Sequence, residues 1–80
     1  MKKYNNGILE KVICNKCGKE LKVDNGIIGE GVFSVDYKWG YFSEKDSENH
    51  KFDLCENCYD KIVSQFVYPV ENKEYKELIY

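Results

Sequence analysis

The chain contains no arginine, alanine or threonine, and only one proline, one methionine and one histidine. The missing arginine matters most. Its planar guanidinium is the side chain best suited to bidentate contact with phosphates and base edges. At a net charge of −2, an arginine-free chain is poorly equipped to bind nucleic acid. No apolar run approaches the length that crosses a bilayer. Lys2 and Lys3 open the chain, but no apolar stretch follows them, so a secretory leader is not expected and a soluble, cytoplasmic protein is. The absent residue types, set beside abundant lysine, asparagine, isoleucine and tyrosine, fit the codons of an AT-rich genome such as that of a low-GC bacterium.

What is present reads as one small globular domain. Of 80 residues, 42% are hydrophobic and 32% charged, which is too apolar for a disordered chain. A chain this short buries little surface, and a metal, disulfides or self-association commonly supplement such a core. Seven tyrosines stand out. Each carries a large apolar ring with a polar tip, so some are expected to face a partner. Charge is unevenly spread, from +2 over residues 1–40 to −4 over residues 41–80.

The four cysteines form two C-x-x-C pairs, Cys14/Cys17 and Cys55/Cys58. Two intervening residues let both sulfurs of a pair reach one ion. Two pairs supply four thiolates, the closed tetrahedral shell of a structural zinc with Zn–S of about 2.3 Å. No further ligand belongs to the pattern, so no coordination position is left open for catalysis. The competing readings are two disulfides, which a reducing cytoplasm disfavours, and a thioredoxin-like redox pair, which needs one C-x-x-C and not two. The expected ligands are therefore Cys14, Cys17, Cys55 and Cys58, with zinc as the single cofactor.

Ile8–Ile13 is a strand candidate leading into the first pair. Gly18, directly after Cys17, permits the tight turn of a metal-binding knuckle. Lys19–Asp24 is expected to return as a strand, Asp24-Asn25-Gly26 to turn, and Ile27–Gly31 to form a loop. Val32–Phe42 is the strongest strand signal, with Phe33, Val35, Tyr37, Trp39 and Tyr41 in one phase and Ser34, Asp36, Lys38 and Gly40 in the other. Ser43–Asn49 is the expected hairpin loop and His50–Leu54 the return strand. A helix should follow, capped by Asp53 with Glu56 completing a capping box, apolar at Tyr59, Ile62, Val63 and Phe66, and ended by Pro69. Knuckle, hairpin and helix in this order predict an α+β fold, a small treble-clef zinc domain over residues 1–70 with a C-terminal tail over 71–80. The tail is expected to be a short helix or an extended arm.

Phe52-Asp53-Leu54-Cys55-Glu56-Asn57-Cys58-Tyr59 resembles the DLCxxCY segment of ZZ-type zinc fingers, and Cys14/Cys17 matches their first C-x-x-C. That resemblance implies one zinc on the same four cysteines and a role in protein recognition. It spans about a dozen residues. The second zinc of that family has no counterpart, because no cysteine is spare. Leu54 to Lys61 also resembles the LCxxCHxxK segment of zinc-bearing HNH endonucleases, with Tyr59 in place of the metal-binding histidine and Asp36-Tyr37 in place of an Asp-His pair. Without those histidines no nuclease chemistry is expected. As a whole, the chain is similar to small proteins with two C-x-x-C pairs from low-GC bacteria and their phages, which raises inhibition of a host enzyme as an alternative.

Other features read more simply. His50 is expected to be an exposed hairpin residue, since no visible motif supplies it with a nucleophile. Gly29-Glu30-Gly31 lacks the third glycine and the following helix of a phosphate loop. Glu44, Asp46, Glu48, Asp53, Glu56 and Asp60 form a solvated acidic face that also favours the helix start. Trp39 to Phe42 is either core or a binding ridge. No catalytic residue is assigned. The expected function is protein–protein interaction, with a protein partner that includes a second copy of the chain. The alternative is nucleic-acid binding through Lys11, Lys16, Lys19 and Lys22 around the knuckle.

Overall fold

Two Asn-Gly dipeptides shape the first third of the chain. Asn6 and Gly7 have φ of 52° and 77°, and Asn25 and Gly26 have 51° and 77°. Two successive positive φ values make the two-residue hairpin turn whose twist matches that of the flanking strands. The first turn joins β1 (Lys2–Asn5) to β2 (Ile8–Ile13), and the second joins β4 (Val23–Asp24) to β5 (Ile27–Ile28). Strand β1 was not expected, although Asn6-Gly7 is its signal. The first two residues of the loop expected over Ile27–Gly31 are instead a strand, because Asn25-Gly26 places Ile27 opposite Asp24 and Ile28 opposite Val23.

The computed structural model describes residues 1–73, so most of the tail over 71–80 lies outside the described residues. The expected return strand from Lys19 to Asp24 is split by Lys22 into β3 (Glu20–Leu21) and β4. Strands β1, β2 and β3 form one antiparallel sheet, with Val12 opposite Leu21. A separate hairpin pairs β6 (Val32–Lys38) with β7 (Asn49–Cys55). Helix α1 (Glu56–Val63) follows β7 without a loop. Strands plus one helix make a small α+β domain.

The core is Val12, Cys14, Leu21, Leu54, Cys55 and Cys58. Half of it is thiol, and the apolar remainder is three aliphatic side chains. Strand β6 stops at Lys38, four residues short of the expected end at Phe42, because the chain turns at Gly40, whose carbonyl accepts the Ser43 N–H at 3.0 Å. The apolar phase that runs from β6 to Tyr41 is largely exposed, with Phe33 at 43%, Tyr37 at 54% and Tyr41 at 83%. A helix of eight residues, about 12 Å long, is too short to cover a hairpin of two seven-residue strands, each about 23 Å long.

The capping box does not form. Asp53 lies within β7, and Cys55 is the residue before the helix, with no side-chain cap hydrogen bond. Helix α1 ends at Val63, well before Pro69. The Ser64 hydroxyl donates to the Lys61 carbonyl at 2.7 Å, and Gln65 and Phe66 donate to Ile62 and Val63 in tighter, three-residue steps. Phe66 therefore falls outside the helical face and is half-exposed.

Asp53 belongs instead to a polar cluster in which it is the buried member. Its carboxylate accepts from Lys2 Nζ and Ser34 Oγ and is ion-paired with the Met1 amino group at 2.8 Å. Burial alone would raise its pKa, but the Lys2 ammonium, the amino group and the Ser34 hydroxyl together hold it at about 2. These contacts tie β1 to the β6–β7 hairpin. Because the folded pKa lies below the ordinary value of 3.8, the stabilisation is complete above that value and fades as pH falls toward 2. Asp53→Ala is expected to cost about 2 kcal/mol, evenly between about pH 6 and 8, by leaving Lys2 without its partner. Urea unfolding of the metal-loaded protein measures this, and an unchanged midpoint would contradict the assigned role.

Candidate metal centre

The first two cysteines sit on a knuckle between β2 and β3. Cys14 follows β2 directly, and its N–H donates to the Lys19 carbonyl at 2.9 Å. Gly18 N–H closes the turn on the Cys14 carbonyl at 2.9 Å, at a φ of +79° that only glycine adopts without strain. The second two cysteines come from the strand–helix junction. Cys55 ends β7 and precedes α1, and Cys58 lies in the first helical turn. Both are thus at a helix N-terminus, where the dipole favours thiolates.

The four sulfurs lie within 4.8 Å of one another. Cys17 Sγ and Cys55 Sγ, 38 positions apart in sequence, approach to 3.8 Å. Four thiolates around an ion at about 2.3 Å have sulfur–sulfur edges of about 3.8 Å, so the cluster is already close to tetrahedral size. Cys14, Cys55 and Cys58 are buried and Cys17 is exposed. Burial disfavours the Cys14 thiolate, but backbone N–H groups of Cys17, Cys55 and Lys16 point at its sulfur and bring its pKa down to about 6. Burial, together with thiol contacts to Cys55, Cys17 and Cys14, pushes Cys58 up to about 12. One thiolate is thus readily formed and another is strongly resisted, until a cation enters to balance the charge. All four cysteines singled out in the sequence are brought together, positioned to bind one metal ion.

Asn15 joins the two halves of the site, a role the sequence did not suggest. Its backbone N–H donates to the Asp53 carbonyl at 2.8 Å, and its Oδ1 accepts from the Asp53 N–H at 2.9 Å. The knuckle is thereby clamped to β7 two residues before Cys55. The pattern has no local sequence signal, because both bonds cross from one half of the chain to the other.

The remaining candidates lie elsewhere. His50 is outside the cysteine cluster. It is only half-exposed, held between Trp39 Nε1, which donates to its Nδ1 at 3.2 Å, and Glu48 at 3.2 Å from its Nε2. Glu30 of the G-x-G accepts from the Lys22 N–H at 2.7 Å and pairs with Lys19 at 3.1 Å. These donors lower the Glu30 pKa, and Glu30 in turn raises that of Lys19, so the segment is a structural brace. Asp53 leaves the acidic face for the polar cluster described above. Among the described residues no helix is long and apolar enough to cross a membrane. Comparison of the chain with models of known families, with curated proteins and with solved structures gives no match.

Removing the clamp should loosen the site without removing a ligand. Asn15→Ala is expected to lower metal affinity about 10- to 100-fold while keeping one ion per chain. Competition with a chromophoric chelator reads this, and wild-type affinity in the variant would show that the clamp does not position the ligands.

Proposed function

We propose that the chain is a structural-zinc domain of treble-clef type that works in the cytoplasm by binding another protein and catalyses nothing. The observation that carries this reading is the closed set of four sulfurs within 4.8 Å. Soft thiolates in a tetrahedral set suit zinc. Four protein ligands leave the ion no position for water or substrate, so its role is to hold the fold. Metal binding in such sites supplies about 10–16 kcal/mol, far more than a core of three aliphatic side chains.

The surface supports protein recognition. Tyr37, Tyr41 and Phe42 are exposed large rings near the end of the hairpin, and Phe42 is fully so. Clustered exposed aromatics are costly in water and suit a partner's apolar surface. Tyr41 and Phe42 stack edge to face at 5.4 Å, and Tyr37 meets Trp39 likewise at 5.1 Å, which gives the hairpin end a preorganised aromatic rim. The basic alternative is weaker. Of the four lysines around the knuckle, Lys19 is paired with Glu30 and Lys11 lies 4.0 Å from Glu20, so the patch is partly neutralised.

Native mass spectrometry before and after a strong chelator, with circular dichroism alongside, tests the reading. One zinc per chain and unfolding on chelation are expected. Metal binding displaces thiol protons, so affinity should rise with pH and acid should release the ion. A metal-free chain that stays folded, lighter by four hydrogens, would replace the zinc by two disulfides. Tight DNA or RNA binding that falls steeply with salt would replace the protein partner by nucleic acid.

A further inference from the structure

The outer edge of β6 is unpaired along its length among the described residues, while that of β7 is taken up at Asp53. Asp53 of β7 turns its N–H and C=O away from β6 and gives both to Asn15 of the knuckle. On β6, Trp39 just past the strand end donates to the Glu48 carbonyl at 2.9 Å, so its peptide groups face inward. Antiparallel pairing alternates, so Phe33, Val35 and Tyr37 also face β7, whereas Ser34, Asp36 and Lys38 direct their N–H and C=O outward. The hairpin has only two strands, and such a ribbon gains stability from a third. An exposed row of strand donors and acceptors is a template for another strand.

We infer that β6 pairs antiparallel with β6 of a second copy of this chain, about a twofold axis at Tyr37. The inference rests on reading the chain as a protein-interaction module. Charge selects the occupant and the register. A twofold at Asp36 would place two carboxylates directly opposite each other, and one at Lys38 would oppose two ammonium groups. The twofold at Tyr37 sets Asp36 opposite the partner's Lys38 and Lys38 opposite the partner's Asp36, two attractive pairs at positions that exchange backbone hydrogen bonds. It also sets Val35 opposite the partner's Trp39 and Tyr37 opposite the partner's Tyr37, so rings exposed in the single chain gain cover. Asp36 faces Lys51 within its own hairpin and accepts from Asn49 at 2.7 Å. It would then lie between two cations. Lys38 has no ion-pair partner among the described residues. The result is a four-stranded sheet, β7–β6 joined to the partner's β6–β7, with each metal centre on the far side of its own β7.

Charge reversal in both directions tests the register. Wild-type protein is expected to give a two-chain, two-metal species in native mass spectrometry and sedimentation. Lys38→Glu creates two repulsive Asp–Glu pairs, and Asp36→Lys two repulsive Lys–Lys pairs, so each is expected to weaken self-association about 10- to 100-fold. Mixing the two variants restores two attractive pairs, and a 1:1 heterodimer, identified by its mass, is the expected outcome. Metal content in the same spectra separates the two readings. A metal-loaded chain that stays monomeric up to about 100 μM overturns the β6 pairing and leaves the zinc-domain reading standing. A dimer that both single reversals leave unchanged overturns the register and the edge. Chains that carry no metal and remain folded overturn the zinc-domain reading itself.

Discussion

Two sulfur pairs from opposite ends of the chain must meet at one point, and nearly every element serves that meeting. The six-residue core surrounds the sulfurs and contains three of them. Val12 lies two residues before Cys14 and opposite Leu21, while Leu54 immediately precedes Cys55. The aliphatic core is thus made of residues that flank the cysteines, with Leu21 paired against Val12. Such a domain cannot be divided into a hydrophobic part that folds and a site that binds, because the same side chains do both. In metal domains of this size, binding and folding are commonly one equilibrium.

The convergence is enforced by polar contacts as much as by packing. Asn15 exchanges two hydrogen bonds with Asp53, and the Asp53 carboxylate collects Lys2 and Ser34. Asp53 therefore joins three segments, the knuckle through its backbone and β1 and β6 through its side chain. Burying one carboxylate is costly unless its oxygens are satisfied, and here they are. The arrangement also explains the missing helix cap. A side chain committed to Lys2 and Ser34 is not free to turn onto the helix N-terminus, and the residue next to the helix is a cysteine whose sulfur faces the cluster.

A closed site and a short helix leave the rest of the molecule with little to cover it. The β6–β7 hairpin extends beyond the core, and its aromatic end has neither a second layer nor a third strand among the described residues. In a larger domain a helix of three or four turns would lie across that hairpin. Here the surface left uncovered is aromatic on one strand phase and alternately charged on the other.

The sequence settled which cysteines form pairs, because C-x-x-C spacing confines each pair to one turn whatever surrounds it. It also determined the local order of knuckle, hairpin and helix, since alternation in Phe33–Tyr37 and the apolar spacing of Tyr59, Ile62 and Val63 are short-range signals. The hairpin β1–β2 was legible in Asn6-Gly7 but carried no apolar alternation to draw attention to it. Tertiary structure alone decided the rest. Asp53 reads as a helix cap from its neighbours, and only the arrival of Lys2 and Ser34 from distant segments makes it a buried anion. Asn15 reads as a turn residue until β7 is beside it. Phe33 and Tyr37 read as sharing an apolar face, and only the fold shows that face half-open, because alternation reports which residues share a face and not whether anything covers it. Local conformation depends on adjacent residues, whereas burial and pairing depend on what long-range folding brings near, and that is where the two accounts part.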